Sequence, residues 1–120
     1  MKNHLYEFLN NIIPTYPINN VPDEVSPLSP YLTYTPVFGD ILDGNIPISA
    51  DLYYKTKSEK EMNKLVYKIG QAIGYGGIMV GNVWIKRGSP FCITIPETED
   101  ERHQDIKRRH LNLTIQIIGD

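Results

Sequence analysis

A single cysteine, Cys92, is all that this chain of 120 residues offers to disulfide chemistry. An internal disulfide is therefore excluded, and a reducing cytoplasm is the expected site of synthesis. Long hydrophobic runs are lacking too. The N-terminal apolar residues Leu5, Phe8, Leu9, Ile12 and Ile13 are interrupted by Glu7, Asn10 and Asn11, so neither an export-signal core nor a bilayer span is formed there or elsewhere. Charge of one sign does not dominate. Twelve Lys and Arg face 14 Asp and Glu, a net charge of -2, which argues against a domain whose main task is to neutralise a long run of phosphates. What is present is globular: 41% of residues are apolar and 22% charged. A chain of this length forms one domain and buries about two-thirds of the surface it would expose unfolded.

The five apolar residues at the N-terminus follow the spacing i, i+3, i+4, i+7, i+8 of one helical face. The spacing predicts an amphipathic helix over Asn3 to Ile13, with Asn3 as N-cap and Pro14 as stop. Six of the nine prolines then fall between Pro14 and Pro36, which forbids regular helix and predicts an extended arm wrapping the domain, here taken as residues 14–30. The sheet-and-helix core is expected over 31–120. Tyr31 to Thr35 is aromatic and β-branched, the make-up of a short strand. A turn is expected over Gly39 to Asn45, where the Asp43-Gly44 pair signals a hairpin if strands flank it. Ile48, Ala50, Leu52 and Tyr54 alternate with Ser49, Asp51, Tyr53 and Lys55, the pattern of a strand with one buried and one wetter face.

Ser58 and Glu61 have the spacing at which each side chain satisfies the other's backbone N–H, so a helix starts there. Its apolar stripe is Met62, Leu65, Val66, Ile69, Ala72 and Ile73, and Gly74 is placed to end it at positive φ. Ile78 to Lys86 reads as strand, broken at Gly81-Asn82 into a hairpin or bulge. Phe91 to Ile95 reads as a partly packed strand leading into the charged loop Glu97 to Arg102. Leu111, Leu113, Ile115 and Ile117 alternate strictly with polar residues as the closing strand. The expected fold is α+β: a small antiparallel or mixed sheet of four to five strands, flanked by the N-terminal helix and the central amphipathic helix.

No catalytic, cofactor or metal set is assigned. The cluster Gly74-Tyr75-Gly76-Gly77 closes a helix instead of opening one and lacks a Gly-Lys-Ser/Thr triplet, so it reads as a helix stop and turn. Cys92 would need a base, and His4, His103 and His110 stand at no diagnostic spacing from it. His103 and His110 with Asp100 and Asp105 match no metal-ligand spacing. An acidic block, Glu97, Glu99, Asp100, Glu101 and Asp105, abuts the basic block Lys107-Arg108-Arg109-His110. A solvated surface is the plain reading. Adjoining patches of opposite sign also suit head-to-tail association of identical subunits closing into a ring. A third reading is a small nucleic-acid-binding accessory protein using Lys86, Arg87 and Lys107 to His110.

Taken as a whole, the chain from about Pro14 onward resembles the tail-completion proteins of long-tailed bacteriophages and prophages, the tail-terminator and head-to-tail joining group. The resemblance lies in order and spacing: the proline-rich lead into Pro30-Tyr31-Leu32-Thr33-Tyr34, the acidic turn, the strand Ile48 to Lys55 with Tyr53-Tyr54, the Ser58 helix, and the closing strand opened by Arg109 and carrying Leu111-Asn112-Leu113. The glycine-dense stretch Gly74 to Gly81 and the loop Glu97 to Arg102 depart from the family. The resemblance implies a structural virion assembly protein, not an enzyme. Such a protein forms a homo-oligomeric ring, expected to be a hexamer, that caps the tail tube and meets the head connector or head-completion protein. It would act in the bacterial host cytoplasm during assembly and then in the virion, without membrane or specific nucleic acid as partner. Polar loops on a rigid sheet can change partners without unfolding a core. The expected contact residues are therefore Asp40, Asp43 and Asn45 in the first loop, Glu97, Glu99, Asp100 and Arg102 in the second, and Arg108 and Arg109 beside it.

Overall fold

In the computed structural model, which describes residues 4–35, 46–95 and 106–118, two helices lie on one face of a six-stranded sheet. The first helix, α1, spans His4–Ile12 and buries Leu5 and Leu9, with Ile13 just beyond it also buried. The expected helix is thus present, and its apolar face is what the core takes in. The arm that follows is not wholly irregular: Thr15–Pro17 forms a short strand, β1, parallel to β2 at Tyr31–Tyr34. Bonds from Leu32 N to Pro14 O and from Ile18 N to Tyr34 O, each 2.8 Å, extend this ladder. Prolines are tolerated at β1 because it is the sheet's edge, where an absent N–H costs no ladder bond.

β3 spans Ile46–Lys55 and pairs antiparallel with β2, so the two strands expected to flank the acidic turn do so; the turn itself, Gly39 to Asn45, lies outside the described residues. Helix α2, Glu59–Ile73, starts where its sequence predicts, with one half of the expected reciprocal cap: Ser58 accepts a bond from the Glu61 N–H at 3.1 Å, while the Ser58 N–H donates to Thr56 Oγ1 at 3.1 Å instead of to Glu61. Gly74 ends it at φ +82°, its N–H donating to the Gly70 carbonyl. Met62, Ile69 and Ile73 are fully buried, each contributing about 1.5–3 kcal/mol on leaving water.

The sheet exceeds the four to five strands expected. Beyond α2, β4 (Ile78–Val80) and β5 (Val83–Ile95) form a tight hairpin across Gly81-Asn82, and β6 (Ile106–Ile117) inserts between β5 and β3. The strand order is β1-β2-β3-β6-β5-β4, parallel at β1–β2 and antiparallel at every other step. Gly81 has φ +61°, and a Cβ there would lie 2.5 Å from the His4 ring, which seats the start of α1 on this turn. Phe91 to Ile95 is not a separate strand. It continues β5 past a bulge between Arg87 and Cys92, opposite Asn112, whose amide donates to the Pro90 carbonyl.

A second correction concerns β6, which begins at Ile106 and not at the expected start of the alternating run. Its inward positions are Lys107, Arg109, Leu111, Leu113 and Ile115, all buried. The block Lys107 to His110 is therefore a solvated surface only in part, because strand parity turns two of its four side chains under α2. Among the described residues, no helix is long and apolar enough to cross a membrane.

Candidate binding face

The helices cover one face of the sheet, and the other carries an ordered set of aromatic and charged side chains. Register places Tyr31, Tyr53 and Arg108 in one row across β2, β3 and β6. The Tyr31 and Tyr53 rings stack at 5.2 Å between centroids with 20° between planes, and Tyr16 from β1 meets Tyr31 edge-on at 6.2 Å. The Arg108 guanidinium carbon lies 5.7 Å from the Tyr53 centroid, within reach of a cation–π attraction. The next row joins Thr33, Asp51 and His110. Asp51 is 7% exposed, accepts the Arg108 Nε–H at 3.2 Å and lies 3.0 Å from His110 Nδ1. A buried carboxylate is stable where charged partners surround it, and here it fixes Arg108 over the tyrosine.

Electrostatics follow from this geometry. Burial lifts the Tyr31 hydroxyl above the usual phenol range, with the neighbouring Tyr53 adding to the effect. At Tyr53 burial also raises the pKa, opposed by Arg108 and assisted by Asp51. Both phenols are neutral donors at physiological pH. The bond to Asp51 raises the Arg108 pKa further, so this cation is permanent.

The arm folds back beside the tyrosines. Lys55 N donates to the Pro27 carbonyl at 2.7 Å, which pins residues 26–28 against the end of β3. Between arm and sheet lies a cleft of about 510 Å³ lined by Ser26, Pro27, Leu28, Tyr31, Tyr53, Lys55 and Ile106. Leu28 stands at its rim, 70% exposed. Tyr and Arg, the residue types of this row, are those enriched at the energetic centres of protein interfaces.

No family model and no curated protein matches this chain.

Of the residues expected at an interface, Asp40, Asp43, Asn45, Glu97, Glu99, Asp100 and Arg102 lie outside the described residues. Arg108 belongs to the face, its side chain 44% exposed. Arg109 does not: it is 3% exposed on the helix-covered side, where it pairs with Glu59 at the start of α2 and donates to the Arg108 carbonyl at 3.3 Å. Lys107 reaches the same Glu59 at 3.0 Å. The bond from Lys107 first, then the charge of Arg109, holds the Glu59 carboxyl below its usual range. Cys92 is half-buried beside Leu111 on the helix-covered side, its thiol pKa raised by burial against a lowering by Arg109. His110 faces the opposite side of the sheet, toward Asp51. The two are not brought together as a nucleophile and base. Among the described residues, no three metal-ligating side chains converge.

Sequence reasoning missed Tyr31, Tyr53, Asp51 and Leu28 as one site. Alternation along β3 placed Asp51 and Tyr53 on a common face, but their partners come from β2 and β6, and cross-strand register carries no signal in the sequence.

Proposed function

We propose that this chain is a structural assembly subunit: a tail-completion protein that forms a homo-oligomeric ring, caps a phage tail tube and joins it to the head. In this reading the tyrosine face makes the contact between neighbouring copies, and loops at the ends of the sheet meet the tube protein and the head connector. The observation that carries it is the Tyr31–Tyr53–Arg108 row, with Tyr16 edge-on to Tyr31, beside an apolar cleft on the face of the sheet opposite the helices. Those side chains are held in place by stacking and by Asp51 before any partner arrives, so little side-chain entropy remains to be lost on docking. The resemblance in element order to tail-terminator and joining proteins supports a ring as the form of association. The subunit would assemble in the bacterial host cytoplasm and remain in the virion at the tail end next to the head.

Sedimentation velocity tests this. The parent chain should sediment as a ring-sized oligomer, and Tyr53→Ala should weaken association by about 2 kcal/mol, about 30-fold, as truncation of a central interface aromatic does. An intact fold that sediments as a monomer at all concentrations, with and without tail tubes, refutes the reading.

A nucleic-acid-binding accessory role is the alternative, favoured by Tyr53 and Arg108 lying side by side on an open sheet face, an arrangement on which bases stack. Lys107 and Arg109 count against it, since they turn inward to Glu59. Binding to single-stranded oligonucleotides that falls steeply with salt would favour this alternative.

A further inference from the structure

The two lateral edges of the sheet differ in what they offer another chain. At the β1 edge the outward positions are Thr15 and Pro17. The Thr15 N–H is taken by the Asn10 side chain at 3.0 Å, and Pro17 has no N–H. That edge is closed to strand addition. On the opposite side β4 pairs with β5 only over Val83–Ile85. From Lys86 to Ile95, β5 has β6 on one side and, among the described residues, no strand on the other. The bulge and Pro90 blunt the middle of this stretch, which leaves Cys92–Ile95 as the open run, with Ile93 41% exposed.

Helix α2 passes alongside. Between it and β5 runs a furrow of about 270 Å³, with Val66, Tyr67 and Phe91 as apolar walls and Asn63 and Arg87 as polar groups. Gly70 forms its floor: a Cβ there would lie 3.4 Å from the Phe91 ring and 3.7 Å from the Arg87 guanidinium. Arg87 is the charged group that lines the furrow, and α2 adds Lys60, Lys64 and Lys68 against Glu59 and Glu61, in a chain whose net charge is -2. Both carboxylates are engaged, Glu59 with Lys107 and Arg109 and Glu61 with Lys64. A second copy presenting the same edge would set these cations against each other. Charge complementarity selects an acidic occupant.

We propose that the open edge of β5, with the furrow beside α2, binds an extended acidic segment of a partner protein by strand addition. The backbone of Cys92–Ile95 supplies the ladder bonds, and Arg87 receives a carboxylate of the segment. Apolar side chains at alternate positions of the segment enter the furrow. This site is distinct from the tyrosine face, so the two can fail independently.

The test is a titration of the isotopically labelled full chain, followed by its amide spectrum, with a synthetic ten-residue peptide of alternating valine and glutamate. Amide shifts should concentrate at Phe91–Ile95 and Asn63–Gln71, with slowed exchange in Cys92–Ile95. N-methylating three consecutive central amides of the peptide should weaken binding at least about tenfold, as should Arg87→Glu or, if that variant folds poorly, Arg87→Gln. Tyr53→Ala should bind the peptide like the parent. Equal affinity for the N-methylated peptide, shifts centred on Tyr31 and Tyr53, or no shifts at millimolar peptide would each overturn the proposal.

Discussion

Removing the carboxylate of Glu59 and removing the guanidinium of Arg109 break the same ion pair, yet the two changes should differ sharply in cost. Arg109 is 3% exposed on the underside of α2, whereas the Glu59 side chain is 62% exposed. Arg109→Met leaves a solvated carboxylate that still faces Lys107 and puts an apolar chain of similar length into an apolar site. Replacing buried ionic groups by packed apolar ones is commonly neutral or favourable, so this variant should lie within about 1 kcal/mol of the parent. Glu59→Gln instead leaves the Arg109 cation under the helix, bonded to the Arg108 carbonyl but with no carboxylate among the described residues. An uncompensated buried cation of this kind costs about 3–5 kcal/mol, and the retained carbonyl bond places Arg109 near the lower figure. With a urea slope of about 1.5 kcal/mol per M, that is a loss of about 2 M in the unfolding midpoint. Urea denaturation followed by circular dichroism reads both variants. If Arg109→Met proves the more damaging, the reasoning that the cation is tolerated only because Glu59 answers it is wrong.

The same pair sets an acid limb. Glu59 has a folded pKa held below its usual value, so its contribution is present above the unfolded pKa and lost as pH falls through the folded one. The fall in stability below about pH 4.5 should be shallower in Glu59→Gln than in the parent, checked by urea midpoints across pH 2–6. Ser58→Ala should cost about 1 kcal/mol by leaving the Glu61 N–H without its cap, measured by thermal unfolding. Leu52→Ala, at a fully buried position in the centre of the sheet, should cost about 2–5 kcal/mol in the same assay. A cost under about 1 kcal/mol would mean that the site collapses around the missing atoms.

Much of this fold was legible because its signals are local. The Ser58–Glu61 spacing located the start of α2 to the residue, since capping chemistry depends on four consecutive positions. The apolar faces of α1 and β3 were equally plain. β1 was not, for three residues that follow one proline and end on another carry no periodicity and acquire strand structure only from register with Leu32–Tyr34. Lys107 and Arg109 are more instructive. The alternation of Leu111, Leu113 and Ile115, carried backwards, puts both on the buried side, but their charge made the stretch read as a solvated surface. What made burial tolerable was a carboxylate 48 and 50 positions away in sequence at the start of another element. The binding face was least legible, since Tyr31, Tyr53 and Arg108 meet only once three strands are in register.

The central claim, that the tyrosine face is where copies of this chain meet, is tested most directly by hydroxyl-radical footprinting across concentration, read by mass spectrometry. Labelling of Tyr31, Tyr53 and Leu28 should fall together as the chain associates, while Tyr67 and Tyr75, exposed at α2 and beyond its end, keep their labelling. Association that leaves Tyr31 and Tyr53 as reactive as in the dilute chain would contradict the account.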